Sequence, residues 1–389
     1  MSPLRIALFT GNYNHIEDGV SRTLGRLVGY LDDRDHEVLV VGPTIDDPIP
    51  RPGRFLAVPS VAAPGRPEYR VSTGFPRSQR REVGRFAPHV VHIATPDVLG
   101  HRALTWALGV GSPVVSTYHT HFASYLDYYR LGLAEPALWT VLRRFYNRCD
   151  EVYPPTPTMT AELRSHGVTS TVRVWPRGIE ADRFSPAFRS DDWRRRQGFD
   201  DDDVVVAFVS RLVKEKGTDV FAETVRSLQT GGAPVRALVV GEGPAGGDLR
   251  AALPRAVFAG HLSGEALSTA YASSDVFLFP SETETFGNVT LEAMASGLAV
   301  VAADAAGTAS LVDHGRTGLL CPPRDRAAFL DATQRVVRDA GLRHRLGAAA
   351  VEAARRYDWP SVLAQMEANY RRVAIGPAGH KRPAVGAAR

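Results

Sequence analysis

The residues best suited to chemistry lie in two short stretches of the second half of the chain. Ser210-Arg211-Leu212-Val213-Lys214-Glu215-Lys216-Gly217 follows the apolar run 204–209 and spaces Arg211 and Lys216 as R-x4-K. A guanidinium and an ammonium at the carboxyl end of a strand can hold a diphosphate, one by paired hydrogen bonds and one as a mobile point charge. By itself this segment reads more simply as a solvated charged loop. The second stretch, Glu284-Thr285-Phe286-Gly287-Asn288-Val289-Thr290-Leu291-Glu292, follows the apolar run 276–279 and spaces Glu284 and Glu292 as E-x7-E. Gly287 allows close backbone approach or an unusual φ, and Asn288 to Ser296 has helical composition. Free N–H groups at that helix start would face the same strand edge as Arg211 and Lys216 and offer an anion site. A carboxylate beside a bound phosphate repels it and must gain elsewhere. Sugar hydroxyls, neutral donors that carboxylates bind well, supply that gain.

Other motifs carry less. Gly241-Glu242-Gly243-Pro244-Ala245-Gly246 is a literal G-x-G-x-x-G after the run 235–240. Pro244 sits where a backbone N–H would be wanted, and the next strand ends at Gly260-His261 rather than at an acid for a ribose. A tight strand-to-helix turn is therefore expected in place of a dinucleotide site. His119 and His121 share one side of the extended segment Ser116–Phe122, but no third ligand stands nearby at metal-site spacing. The run Asp200-Asp201-Asp202-Asp203 precedes a strand, at the wrong end of the sheet for a site, and reads as a solvated turn. Cys149 and Cys321 are the only cysteines, which excludes a disulfide framework and points to two buried reduced thiols. No metal and no cofactor are expected.

These residues need strands and helices to hold them. Strands are expected near 4–9, 37–41, 89–93, 113–117 and 171–174, separated by helical stretches such as 20–31, 98–109 and 137–149. The rhythm halts at Trp175-Pro176-Arg177-Gly178, Ser185-Pro186 and the charged run Arg189 to Gln197. It restarts with strands at 204–209, 235–240, 256–259, 276–279 and 298–302. Strand, helix, strand at this spacing predicts right-handed βαβ units in parallel sheets. The fold class is therefore α/β, with two doubly wound Rossmann-like domains and a linker over 176–200. The expected divisions are 1–180, 181–357, a helix over 358–373 packing back toward the first domain, and a disordered basic tail over 374–389. Ligands of such sheets bind beyond the carboxyl ends of the strands, so two facing domains would enclose a cleft.

With 389 residues, 44% hydrophobic and 23% charged, the chain has the composition of a globular protein of two domains. Its 46 Lys and Arg against 42 Asp and Glu leave a net charge of only +4. No stretch interleaves basic and aromatic residues as a nucleic-acid module does, so nucleic acid is not an expected partner. The apolar run after Met1–Arg5 is too short for a secretory core, and no stretch approaches the roughly 18 apolar residues of a spanning helix. A cytoplasmic location is expected.

The R-x4-K pair followed by E-x7-E within E-T-F-G-N-V-T-L-E-A-M-A-S-G strongly resembles the retaining glycosyltransferases of family four, over residues 4–373. The resemblance implies the GT-B fold, with two Rossmann-like domains facing a central cleft, the first for the acceptor and the second for a nucleotide diphosphate sugar. It implies that Arg211 and Lys216 hold the donor diphosphate and that Glu284 binds the transferred sugar. Phe286 belongs to the same donor-site motif, Gly287, Asn288 and Val289 add backbone contacts, and Glu292 binds the ribose. The loop Gly11–Val20 matches one that caps the donor phosphates and borders the acceptor site. Where many members have two glycines this chain has Asp18-Gly19-Val20, which leaves Gly19 as the matching position. The family places a histidine at the His119 position over the reacting face of the sugar, and His121 is left to ordering the loop or lining the acceptor channel. Transfer with retention then passes through an oxocarbenium-like state, and cationic groups take the place of a divalent ion.

E-D-G-V-S-R-T-L, Y-H-T-H-F and C-D-E-V-Y-P-P-T-P-T-M look most like two branches of the family. One comprises GDP-mannose-dependent α-mannosyltransferases, the preferred branch. The other comprises sulfoquinovosyltransferases using a UDP-sugar. Both imply a lipid or glycolipid acceptor at the cytoplasmic membrane face. Arg77, Arg80, Arg81 and Arg85 beside Phe75 and Phe86, and the run Arg143, Arg144 and Arg148, suit either peripheral docking on anionic lipid or a solvated basic face. A rival of another class, a UDP-sugar 2-epimerase of GT-B shape, lacks the E-x7-E spacing. The intact set His119, Arg211, Lys216, Glu284 and Glu292 speaks against a non-catalytic sugar-nucleotide binder.

Overall fold

The computed structural model describes residues 2–16, 18–63, 66–118 and 135–375. His119, His121 and the segment 376–389 lie outside the described residues. Contacts divide the chain into two units, Met1–Trp175 with Val362–Arg389, and Pro176–Ser361.

The first unit is built on a parallel sheet of β1 (Arg5–Phe9), β2 (Glu37–Gly42), β3 (Arg54–Ala57), β6 (Val90–Ile93), β7 (Val114–Thr117), β8 (Glu151–Tyr153) and β9 (Thr171–Val172), in the order β3-β2-β1-β6-β7-β8-β9. Its central strands are buried along their length, as parallel strands covered on both faces must be. The helix Gly19–Asp32 starts where Asp18 accepts from the N–H groups of Val20 and Ser21 while the Ser21 hydroxyl takes the Asp18 N–H. A separate antiparallel pair, β4 (Ser60–Ala63) and β5 (Arg66–Ser72), stands beside the sheet order. The helix Trp359–Ile375 supplies the last element of this unit from Val362 onward. Contacts that fix it include these: Trp175 Nε1 donates to Val362 O at 2.9 Å, and Tyr370 Oη lies 2.6 Å from His92 Nδ1. Arg372 meets Glu151 at 2.7 Å and Glu367 meets His36 at 3.3 Å.

The second unit has a parallel sheet in the order β12-β11-β10-β13-β14-β15. Its strands are β10 (Val204–Val209), β11 (Val235–Val240), β12 (Val257–Gly260), β13 (Val276–Phe279), β14 (Ala299–Ala303) and β15 (Gly318–Cys321). Every residue of β10, β13 and β14 is buried, and Phe208, Phe221, Phe277 and Phe279 fill the core between sheet and helices.

Three expectations change. The stretch 176–200 is not a linker but part of the second unit. Ile179 bridges to Asp358, Phe184 and Phe199 are buried in that unit's core, and buried Arg194 pairs with Asp275 at 3.0 Å. The strand expected over 171–174 is confined to Thr171–Val172, since Trp175 already turns to meet Val362. Sheet positions are also filled by β3, β8 and β15, which open on Arg54, Glu151 and Gly318 and are not among the expected strands. The first unit runs to Trp175, and the last helix runs from Trp359 to Ile375.

Candidate functional site

In the second unit β10 delivers its carboxyl end to Ser210-Arg211-Leu212. The G-x-G loop after β11 packs directly on this segment. Gly241 and Gly243 have φ of +125° and +156°, and a Cβ on them would fall 1.9 Å from Ser210 O and 2.4 Å from Leu212 O. Leu212 N donates to Glu242 O at 2.9 Å and Ala245 N to Leu212 O at 2.8 Å. The two glycines therefore let one loop brace another, as a tight turn does.

A 3-10 turn, Lys214–Lys216, then brings the Lys216 side chain inward. Its Nζ donates to Glu284 Oε1 at 2.8 Å and to Thr283 Oγ1 at 3.1 Å. The two charged side chains are only 11% and 18% exposed, so their attraction is little screened. The ammonium has a third N–H to offer an anion. Arg211 behaves differently: 74% of its side chain is in solvent and its nearest carboxylate, Glu215, is 3.9 Å away. The structure thus joins Lys216 to Glu284 and leaves Arg211 extended at the mouth of the same loop.

Glu284 precedes a helix that begins at Asn288. Gly287 caps it at φ +92°, a left-handed conformation that a side chain disfavours, and among the described residues no side chain bonds the first N–H groups. The backbone of Asn288 and Val289 therefore presents donors where the helix dipole is positive. Phe286 points inward, buried edge-on against Tyr357 at 5.8 Å. One turn into the helix, Glu292 Oε2 accepts from the Tyr271 hydroxyl at 3.0 Å. Tyr271 is fully buried, and burial first, then the Glu292 charge, push its hydroxyl well above the usual tyrosine range. Thr283 and Tyr271 had no sequence signal: a hydroxyl in a loop and an aromatic on a helix gain meaning only from what they face.

In the first unit, Gly19 is the first residue of its helix, next to the Asp18 cap, and Asn12 Nδ2 holds Asp18 Oδ2 at 3.0 Å. Phe75 is not available to a partner surface. It is buried edge-on against Phe9 at 5.2 Å and Trp106 at 5.9 Å, and Arg80 Nε donates to its carbonyl at 2.7 Å. Arg77, Arg81 and Arg85 on the helix Arg77–Phe86 remain exposed. In the acidic run, Asp203 accepts from Asp200 N at 2.8 Å and pairs with Arg236 at 3.7 Å, which makes it a braced turn. Both cysteines are buried free thiols, and burial pushes Cys321 up to about 12.

Residues 18–183 match the family described as Glycosyltransferase Family 4, and residues 203–339 the one described as Glycosyl transferases group 1. Over 379 residues the chain is 34% identical to a GDP-mannose-dependent alpha-mannosyltransferase of Mycolicibacterium smegmatis, covering 95% of this chain and 98% of that protein. It is 32% identical over 371 residues to a sulfoquinovosyl transferase of Arabidopsis thaliana, covering 92% and 71%. Among solved structures, sucrose-phosphate synthase from Thermosynechococcus elongatus has a similar fold, with a TM-score of 0.76, 22% identity, and coverage of 95% and 99%.

Proposed function

The chain belongs to glycosyltransferase family 4, has the GT-B fold and is a glycosyltransferase, and from that membership we propose that it transfers an α-mannosyl group from GDP-mannose, with retention, to a lipid or glycolipid acceptor. The observation that carries the donor assignment is the Lys216–Glu284 contact of 2.8 Å beside the Gly287 helix start. A cation, a row of backbone donors and a carboxylate then converge as a sugar diphosphate requires. The choice of mannose rests on the full-length likeness to GDP-mannose-dependent enzymes.

The chemistry follows from charge. As the bond from the anomeric carbon to the diphosphate oxygen stretches, negative charge grows on the leaving group and positive charge on the sugar. Lys216 and the N–H groups of Asn288 and Val289 meet the first from fixed positions, and the solvent-exposed Arg211 swings in to join them. Glu284 accepts hydrogen bonds from sugar hydroxyls and fixes the ring, while Glu292 takes the ribose diol. The acceptor hydroxyl attacks the face the diphosphate leaves, and its proton passes to a departing phosphate oxygen. His119, carried over from the family motif, covers the reacting face. Because fixed cations carry the electrostatic work, the reaction proceeds without a divalent ion or other cofactor. The acceptor's lipid character places the enzyme at an anionic cytoplasmic membrane face, with the exposed Arg77, Arg81 and Arg85 as its basic contacts. Among the described residues no helix is long and apolar enough to cross a membrane. Sedimentation with phosphatidylglycerol vesicles at low salt checks the docking: enzyme left in the supernatant rules it out.

The likeness to the sulfoquinovosyl transferase favours one alternative, a UDP-sugar donor. Thermal shift with GDP, UDP and ADP separates the two. At a hundredfold excess over Kd a ligand adds about 2.7 kcal/mol to the native state. Stabilisation by GDP alone supports the mannosyl assignment, and stabilisation by UDP alone replaces it with the alternative.

A further inference from the structure

Tyr271 lies outside every motif that identifies the family site, yet it touches that site. It sits in the last turn of the helix Gly264–Ala272, is fully buried, and packs its ring against Phe184 at 5.8 Å and Phe277 at 6.1 Å. Its hydroxyl lies 3.0 Å from Glu292 Oε2 and 3.3 Å from the Val289 carbonyl. A phenol has one proton, and the shorter contact to a charged acceptor takes it. With the ring locked by core packing, that bond anchors one oxygen of the Glu292 carboxylate. The Val289 carbonyl at 3.3 Å is left as the longer contact to the same hydroxyl.

We infer that Tyr271 is a positioning residue that orients Glu292 for the ribose diol and so sets how strongly the enzyme distinguishes a ribonucleotide from its deoxy counterpart. The inference rests on the proposed role of Glu292 at the ribose. Two neighbouring ribose hydroxyls need two carboxylate lone pairs aimed at fixed points. A carboxylate free to turn about its last bond would satisfy one or the other. Tyr271 holds one oxygen of Glu292 against such turning at no conformational cost of its own, because its ring is already immobilised.

Tyr271→Phe keeps the packing and deletes only the hydroxyl. The test measures Kd by titration calorimetry for GDP, UDP and their 2′-deoxy forms with wild type, Tyr271→Phe, Glu292→Gln and the double variant. Wild type is expected to prefer the ribonucleotide of its base. In Tyr271→Phe that ribonucleotide should weaken about tenfold, the size of one charge-assisted hydrogen bond, while the deoxy form changes less than twofold. The preference then collapses. The double variant should bind no worse than Glu292→Gln, since one group acts through the other. Equal weakening of both forms in Tyr271→Phe would overturn the inference by making Tyr271 a packing residue only, and so would unchanged ribonucleotide binding. A wild type without preference would instead remove the ribose role of Glu292, and the inference with it. If Tyr271→Phe melts too low to titrate, Glu292→Asp provides the second route. Retreat of the carboxylate from the Tyr271 hydroxyl should produce the same selective loss, and an unselective loss again overturns the inference.

Discussion

Replacing Lys216 by methionine removes one positive charge while keeping the length of the stem, and its consequences divide into a catalytic and a structural part. In the transition state the leaving diphosphate takes the anionic place beside the ammonium. At about 4 Å and an effective dielectric near 20, that attraction is about 4 kcal/mol. Since about 1.4 kcal/mol is tenfold in rate, the upper limit is about three orders of magnitude. Arg211 and the helix start at Asn288 remain, so turnover should fall about 100- to 1,000-fold, comparable to losing one preorganised donor. The structural part concerns Glu284, which loses its partner at 2.8 Å while 82% of its side chain stays out of water. Removing one member of a buried pair costs about 3–5 kcal/mol, and the residual exposure places this case near the lower end. For a unit of this size that is a drop of about 6–12 °C in Tm. The assay is transfer from radiolabelled GDP-mannose into organic-extractable product with a bacterial membrane extract as acceptor, beside calorimetry of the same variant. Lys216→Met with Glu284→Gln should recover most of the lost Tm, because two neutral groups replace a stranded charge, yet it should stay inactive. Turnover of Lys216→Met within tenfold of wild type at saturating donor would refute the placement of the diphosphate.

Three other outcomes are expected. Activity should survive overnight EDTA treatment and gain nothing from added Mg²⁺ or Mn²⁺; a metal-dependent rate would show that the fixed cations do not suffice. Gly287→Ala forces a side chain into φ +92° but meets only ordinary contacts of 3.5 Å to Leu311 and Thr290, so the loss is backbone strain of about 1–2 kcal/mol, seen as a lower Tm and weaker nucleotide binding in titration. Burial lowers His92 from 6.5 to about 3 in the folded chain. The unfolded chain thus binds the extra proton first as pH falls. The stability contributed by the neutral ring is fully present above 6.5 and is lost at up to about 1.4 kcal/mol per pH unit between 6.5 and 3. His92→Gln should flatten the urea-midpoint profile in that window, and an unchanged slope would assign it elsewhere.

Much of the architecture is legible in the chain because long buried parallel strands such as Val204–Val209 are nearly pure apolar runs, bounded by loops with glycine and charge. The strands β8 and β15 do not stand out, since Glu151-Val152-Tyr153 and Gly318-Leu319-Leu320-Cys321 open on a charge and on a glycine. The misread stretch is instructive. Residues 176–200 have the proline and charge of a connector, but Arg194 is held inside by Asp275 and the carbonyls of Asp203 and Ser273, so its charge marks a buried anchor. At the site, Lys216, Glu284 and Gly287 stand out because their types and spacing are costly without a ligand. Tyr271 and Thr283 do not, since hydroxyls acquire a role only through a neighbour 3.0 or 3.1 Å away that is distant in sequence. The same reasoning failed for Phe75, whose aromatic ring beside arginines suggested a surface and whose place is the core.

The docking of Val362–Ile375 onto the first unit has a consequence for how the protein is made. Synthesis runs from the amino terminus, and domains ordinarily fold as they emerge. Here every strand of the first unit's parallel sheet is present once Val172 has been translated, but Trp175, His92, Glu151 and His36 still lack the partners they meet on the last helix. The second unit, continuous in sequence, can close before its predecessor does. A nascent chain therefore carries an unfinished first unit through the translation of nearly two hundred further residues, with an apolar and charged seat left open to chaperones or to misdocking. For the same reason, expressing residues 1–175 alone should yield a fragment that aggregates, whereas the fragment covering 176–361 should stand by itself.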